Sequence, residues 1–234
     1  MDGFTKMEHH AERHDTGLWL RDIILGGQDG LVNVLGIILG ISAAGGQQHI
    51  IIAASLAATF AEAVSMGAVA YTSTMADKKH YENEEARERF EIEKFPEHET
   101  QEVYEIYRAK GFSGKLLDQI VETITSNKEV WLKNMMSEEL GLQINKKQII
   151  YSSLIVGVTT VIGSLIPLVP YFFLIKSEAL VFSLVLSGVV LFGVGIYESK
   201  NGWSGRLKSG LQMLLIGLGA ALIGFLVGRV FNVG

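Results

Sequence analysis

Residues 50–94 read IIIAASLAATFAEAVSMGAVAYTSTMADKKHYENEEARERFEIEK. The first 27, Ile50 to Ala76, hold a single charge, Glu62, and the next eighteen, Asp77 to Lys94, hold twelve. About 20 apolar residues suffice for a helix to cross some 30 Å of hydrocarbon. No breaker separates the apolar half from the charged half, so the stretch predicts one helix that crosses a membrane and continues into water. Pro96 ends it, because the residue before a proline is pushed out of helical geometry.

The rest of the chain repeats the contrast. Four more apolar stretches lie at roughly Leu18–Ala44, Gln148–Val169, Ala179–Tyr197 and Ser209–Phe231. Residues 76–147 collect 16 of the 25 acids and 12 of the 20 Lys and Arg. Five such helices in 234 residues leave too little polar surface to bury them in a soluble protein. The expected fold is therefore an all-α membrane protein. It has five transmembrane helices per protomer and a small cytosolic helical metal-binding domain between the second and third. The expected divisions are a tail 1–17, helices one and two in 18–76, the polar domain 77–147, and helices three to five in 148–234. The tail has no apolar core or cleavage site of a secretory signal.

Lys and Arg set the orientation, since cytosolic loops collect them. The tail with Arg21, the central segment and the fourth loop carry 18 of the 20, and the opposite side carries only Lys176 and Arg229. The N-terminus and residues 77–147 are expected to be cytosolic. A net charge of −5 excludes a generally basic nucleic-acid binder. With no cysteine, disulfides and thiolate metal sites are excluded, so any metal must be held by carboxylates, His, Met or backbone oxygens.

The central segment reads as short helices. Glu97–Lys110 follows Pro96 and stops at Gly111, Ser113 is a candidate cap for a helix through Thr125, and Asn127 is a candidate cap for Lys128–Leu142. Leu116, Leu117, Ile120, Val121 and Ile124 form one stripe. Glu88 and Glu91 share a helical face, as do Glu99, Glu102 and Glu105, and Met135 and Met136 lie one turn before Glu139. Any one such pair reads ordinarily as a solvated acidic face. Two pairs and a Met-Met-x-x-Glu on a third helix point toward a metal site. The tail histidines His9, His10 and His14 read either as a disordered tail or as an extra metal contact.

Two carboxylates fall inside spans. Asp29 lies in Gly26-Gly27-Gln28-Asp29-Gly30, and Glu62 lies one turn before Met66. Asp29 as the cap of a helix starting at Gly30 would leave that helix short for a span, so an intramembrane position is preferred. An ionisable group at that depth costs at least a few kcal/mol unless paired, hydrated or bound to a cation, and marks a transport path by default. Carboxylate with thioether suits Fe²⁺ and its neighbours better than Na⁺, K⁺ or Ca²⁺. Gly26-x-x-x-Gly30 and Gly36-x-x-x-Gly40 offer close helix packing.

Several motifs together resemble the vacuolar iron transporter family. They are Asp29-Gly30-Leu31-Val32 after a glycine-rich start, Ser65-Met66-Gly67, the Glu-rich insert, and Trp131-Leu132-x-x-Met135-Met136-x-x-Glu139-Leu140-Gly141-Leu142. The resemblance runs from about Leu18 to the end. It implies a homodimer in membrane lipid, with a pore at the dimer interface exchanging cytosolic Fe²⁺ for protons. Asp29 and Met66 match its pore residues. Glu88, Glu91, Glu99, Glu102, Met135, Met136 and Glu139 match its cytosolic metal set, which also takes Zn²⁺, Mn²⁺ or Co²⁺. No prosthetic group is implied. The family's pore glutamate lies about two turns before the methionine, where this chain has Ala58, and Glu62, one turn before, is the candidate substitute. The membrane would be cytoplasmic in a prokaryote and vacuolar in a eukaryote. The rival readings are a ferritin-like ferroxidase, disfavoured because no Glu-x-x-His occurs, and a membrane-anchored metal sensor.

Overall fold

The structure is a computed structural model that describes residues 15–142, 149–199 and 203–231. His9, His10 and His14 lie outside these residues, as do most of the 1–17 tail, 143–148 and the 200–202 end of the fourth loop. The described residues form α1 (Asp15–Ala43), α2 (Gln48–Lys94), α3 (Pro96–Ala109), α4 (Gly114–Thr125), α5 (Lys128–Glu138), α6 (Ile149–Leu168), a 3-10 turn (Val169–Phe172), α7 (Lys176–Glu198) and α8 (Trp203–Val230). No strand occurs among them. Five helices, α1, α2, α6, α7 and α8, are long and apolar enough to cross a membrane, so this is an all-α membrane protein. The chain divides into two units, residues 1–70 with 150–234, and residues 71–149.

In the first unit α1 runs unbroken through Asp29, so that residue sits mid-helix and caps nothing. Glycines let α1 approach its neighbours backbone to backbone. A Cβ on Gly30 would lie 2.3 Å from the Thr160 carbonyl of α6, and one on Gly163 1.9 Å from the Gly27 carbonyl. On α8, a Cβ at Gly224 would meet the Gly36 carbonyl at 2.4 Å, and one at Gly228 the Gly40 carbonyl at 2.0 Å. Lipid tails are as apolar as Leu, so helices in a bilayer associate through such close packing rather than through a hydrophobic drive. Val34, Ile38, Ile51, Leu168, Tyr171 and Ala179 fill a core beside these contacts. Gln48 Nε2 donates to the carbonyls of Tyr171 (2.6 Å) and Leu174 (2.9 Å), and Lys176 Nζ to that of Gly46 (2.6 Å). These bonds tie the α1–α2 turn to the start of α7. Phe60, Val64, Ile162, Phe182, Val185 and Ile223 are exposed, as a lipid-facing surface requires.

The second unit holds the polar half of α2 with α3, α4 and α5. A 47-residue helix is about 70 Å long, roughly twice the hydrocarbon thickness, so only its apolar half through about Ala76 can span. Phe95 alone separates α2 from α3, with φ −129° and ψ 49°. Gly111, at φ 96°, follows α3. Asn127 caps α5, its side chain accepting from the amides of Glu129 (3.0 Å) and Val130 (3.3 Å). Ser113 occupies the N-cap of α4, but its side chain makes no capping bond. Ile92, Val103, Leu117, Val121, Ile124, Trp131, Leu132, Met135 and Met136 form the core. Of the expected α4 stripe, Leu116 instead faces solvent. Arg89 grips Glu129 through Nη1 at 2.6 Å, joining α2 to α5.

The glycine contacts give a direct test. Gly228→Val places methyl groups where the Gly40 carbonyl stands and is expected to cost about 1–3 kcal/mol or more. Its melting temperature in detergent should fall well below wild type. Gly193→Ala and Gly219→Ala, where nothing lies within 4 Å of an added Cβ, should leave it unchanged or slightly raised.

Candidate metal sites

The first site lies within the spans. Glu62 of α2 faces α1, where its carboxyl group meets Asn33 and Asp29 in hydrogen-bonding contact. Its Oε2 is buried and has no hydrogen-bond partner among the described residues. Met66, four residues on, shares the face of Glu62 and is half-buried, while Asp29 and Asn33 are exposed on the surface of α1. The structure thus brings Asp29 and Glu62 together, with Met66 one turn beyond. Asn33 was missed from the sequence, although it stands four residues after Asp29 and so shares its face.

The second site belongs to the 71–149 unit. The one-residue turn at Phe95 folds α3 back along the end of α2, which sets Glu88 and Glu91 against Glu99 and Glu102. Glu139, at the C-cap of α5, completes the acidic group. A cleft of about 440 Å³ is lined by Arg87, Glu91, Phe95, His98, Glu99, Glu102 and Glu139. Glu88 is 2% exposed and Glu99 4% exposed. Glu88 Oε1 and Glu99 Oε2 are buried, and each lacks a hydrogen-bond partner among the described residues. An unpaired buried carboxylate is costly and tends to shift its pKa or find a cation.

The electrostatics follow from that crowding. Burial, then the hydrogen bond and charge of Glu99, then the charges of Glu139 and Glu91, push Glu88 up to about 8. Glu102 is raised by burial and by Glu99, against the opposing pull of His98. Glu139 is raised by burial and by Glu102 and Glu99, against Arg87. Arg87 is the counterion on the spot, with Nη2 2.9 Å from Glu84 and Nε 3.6 Å from Glu91. Glu99 lies in the first turn of α3, where the helix dipole favours negative charge.

Of the seven residues read from the sequence as metal ligands, the five carboxylates, Glu88, Glu91, Glu99, Glu102 and Glu139, converge here. Met135 and Met136 pack into the apolar core of the unit, and the cleft lining holds no methionine. His98 and Arg87 were not singled out from the sequence. His98 precedes Glu102 by four residues, and Arg87 precedes Glu91 by four, a spacing that puts each pair on one face. A cluster of oxygen donors with one imidazole can hold a divalent cation, with a charge of +2 offsetting the carboxylate repulsion.

The pH dependence has a definite sign. Glu88 binds its proton more firmly in the folded unit, near 8, than in an unfolded chain, near 4.5. The stability it contributes is full below about 4.5 and is lost as pH rises toward 8 and above, by on the order of a few kcal/mol. Urea unfolding of the metal-free full chain, followed through Trp131 with Trp19 and Trp203 changed to Phe, should show falling midpoints between pH 5 and 9. Glu88→Gln should flatten that decline. A midpoint that rises over this range would contradict the buried carboxyl pair.

The chain matches the family model described as the VIT family over residues 20–229. It is 33% identical over 229 residues to vacuolar iron transporter 1 of Arabidopsis thaliana, covering 97% of this chain and 92% of that protein. Vacuolar iron transporter 1 of Oryza sativa subsp. japonica is 34% identical over 212 residues, 89% of this chain and 84% of its own length. The vacuolar iron transporter of Plasmodium falciparum is 31% identical over 243 residues, 99% of this chain and 89% of its own.

Proposed function

The chain belongs to the VIT family, and on that premise we propose that it carries Fe²⁺ out of the cytosol across a membrane in exchange for protons. A member of this family is a transporter and not an enzyme, so the ferroxidase reading falls away. The observation that carries the proposal is the carboxylate pair Asp29 and Glu62, facing each other within the spans, with a buried Glu62 oxygen left without a donor. An ionisable pair at that depth needs a cation or protons. Two carboxylates neutralise one divalent ion, and two protons can replace it without leaving net charge on the pair. The Met66 thioether adds preference for transition metals over Ca²⁺.

Asp29 and Asn33 are exposed on α1, and a carboxylate facing lipid is costly. That supports a homodimer in which a second copy covers this face and doubles the site. Glu62 serves in place of the glutamate missing at Ala58, four residues earlier on roughly the same face. The N-terminus and residues 77–147 are cytosolic, in keeping with the 18 Lys and Arg on that side. Glu88, Glu91, Glu99, Glu102 and Glu139 gather the ion there, with Met135 and Met136 as soft donors should their helix yield them. The site also accepts Zn²⁺, Mn²⁺ and Co²⁺, because oxygen and imidazole donors do not by themselves exclude them. The membrane is vacuolar in a eukaryote and cytoplasmic in a prokaryote.

Reconstituted in liposomes, the protein should move Fe²⁺ faster when a pH gradient is imposed. Asp29→Ala and Glu62→Ala should each cut that flux on the order of 10-fold or more, the cost of losing a charge partner in the span. Adding Ala58→Glu to Glu62→Ala should restore part of it. Flux indifferent to the gradient would make the protein a channel or uniporter. No flux with any of the four metals would leave a sensor.

A further inference from the structure

The acidic cleft of the 71–149 unit contains one nitrogen donor besides its carboxylates. His98 is 71% exposed at its side chain, yet its Nδ1 turns inward, 3.6 Å from Glu99 Oε1 and 3.4 Å from Glu102 Oε1. Ligand atoms of His98, Glu99 and Glu102 all lie within 4.8 Å of one another. An ion about 2.0–2.2 Å from each donor, with donors 90–109° apart, holds them about 2.8–3.6 Å from each other. The His98–Glu102 separation falls inside that span and the His98–Glu99 separation at its upper edge.

The cluster is more than an acidic surface. Glu99 is 4% exposed, it lines the same cleft, and its Oε2 has no hydrogen-bond partner. The neighbouring Glu88 Oε1 is equally orphaned. Beyond the Glu88–Glu99 hydrogen bond these oxygens find no partner among the described residues, and since buried polar atoms in folded proteins are almost always paired, they point to a bound partner. A charged ion pair between His98 and the two glutamates would leave Glu99 Oε2 as it is.

We propose that His98 is a metal ligand, and that Nδ1 of His98 with the carboxylates of Glu99 and Glu102 forms a mixed nitrogen–oxygen site selective for transition-metal ions over Ca²⁺ and Mg²⁺. The inference rests on the reading that this cleft takes up the transported metal. It adds a selectivity element, since imidazole suits Fe²⁺, Co²⁺ and Zn²⁺, whereas hard alkaline-earth ions prefer all-oxygen sites. The sequence carries the same arrangement as His98-Glu99-x-x-Glu102 at the start of α3, directly after the turn that faces it toward α2.

The test uses tag-free full-length protein in detergent, with Co²⁺ as the probe. Equilibrium binding is measured in the presence of excess Ca²⁺ and Mg²⁺, and cobalt-edge X-ray absorption reads imidazole through its outer-shell scattering. Wild type should bind Co²⁺ with an imidazole signature. His98→Ala should lose that signature and weaken Co²⁺ binding about 10-fold or more, since loss of even an outer-shell partner of a ligand costs 10–100-fold. His98→Glu should recover binding but narrow the preference for Co²⁺ over Ca²⁺. If His98→Ala binds like wild type, or keeps the imidazole signal, His98 is not a ligand. In that case a loss of binding in Glu99→Gln leaves the carboxylate site standing. If wild type binds no Co²⁺, both the ligand assignment and the cleft's role in gathering metal fall.

Discussion

A carboxylate oxygen withdrawn from water with no donor to meet it must be compensated by a proton or a cation. This chain makes that arrangement at Glu62 among the spans and at Glu88 and Glu99 in the polar unit. The constraint explains why acids of one sign stand opposite each other instead of opposite Lys or Arg. An ion pair would satisfy the oxygens permanently, whereas paired acids stay satisfied only while something exchangeable is bound. Arg87 is the partial exception. It lies at the edge of the acidic group, bonded to Glu84 and near Glu91, and it leaves Glu88 and Glu99 facing each other.

Holding such a pair together needs a rigid frame, because like charges left to themselves would separate. Among the spans the frame is steric. Gly26, Gly30 and Gly40 put the α1 backbone against α6 and α8 with little room for a side chain, so Asp29 has a fixed position from which to meet Glu62. In the polar unit the frame is an apolar core. Met135 and Met136 are buried at 0% and 2% exposure and anchor α5 under the acidic cleft. Asn127 starts that helix and the Arg89–Glu129 pair fastens it to α2. Such an exposed pair is screened by solvent and contributes little, so α5 is held in place mainly by the side chains it buries.

Much of this was legible in the sequence because it depends on period and punctuation. The apolar-to-charged switch at Asp77, the stop at Pro96 and the cap at Asn127 each act locally, and each appears where its chemistry predicts. The three-residue spacing of Glu88 with Glu91, and of Glu99 with Glu102, gave the faces. Which faces meet was not legible, because that depends on the backbone angles of a single residue, Phe95. Gly36 and Gly40 were visible as a packing motif, but their partners Gly224 and Gly228 lie nearly 200 residues away, beyond the reach of periodicity. Ser113 shows the opposite failure, with a capping residue in the capping position whose hydroxyl does not cap. The methionines had the right spacing to join Glu139, but the core of the 71–149 unit took their side chains.

Asn33 and His98 were passed over for one reason. Each is an ordinary polar residue until the burial of its carboxylate neighbour is known: Glu62 across α1 and α2 for Asn33, and Glu99 beside it on α3 for His98. Their chemistry differs in a way that suits different tasks. An amide neither gains nor loses charge, so Asn33 can hold the Glu62 carboxyl group in place whether that group carries a proton or faces a cation. An imidazole nitrogen offers a lone pair that discriminates among cations. On the proposed reading, selection among metals is suited to the solvent-accessible cleft, where competing ions are encountered. The carboxylate pair among the spans then needs only to exchange a divalent ion for protons. Tight selective binding at that second point would slow release, since conduction needs binding strong enough to admit an ion and weak enough to let it go.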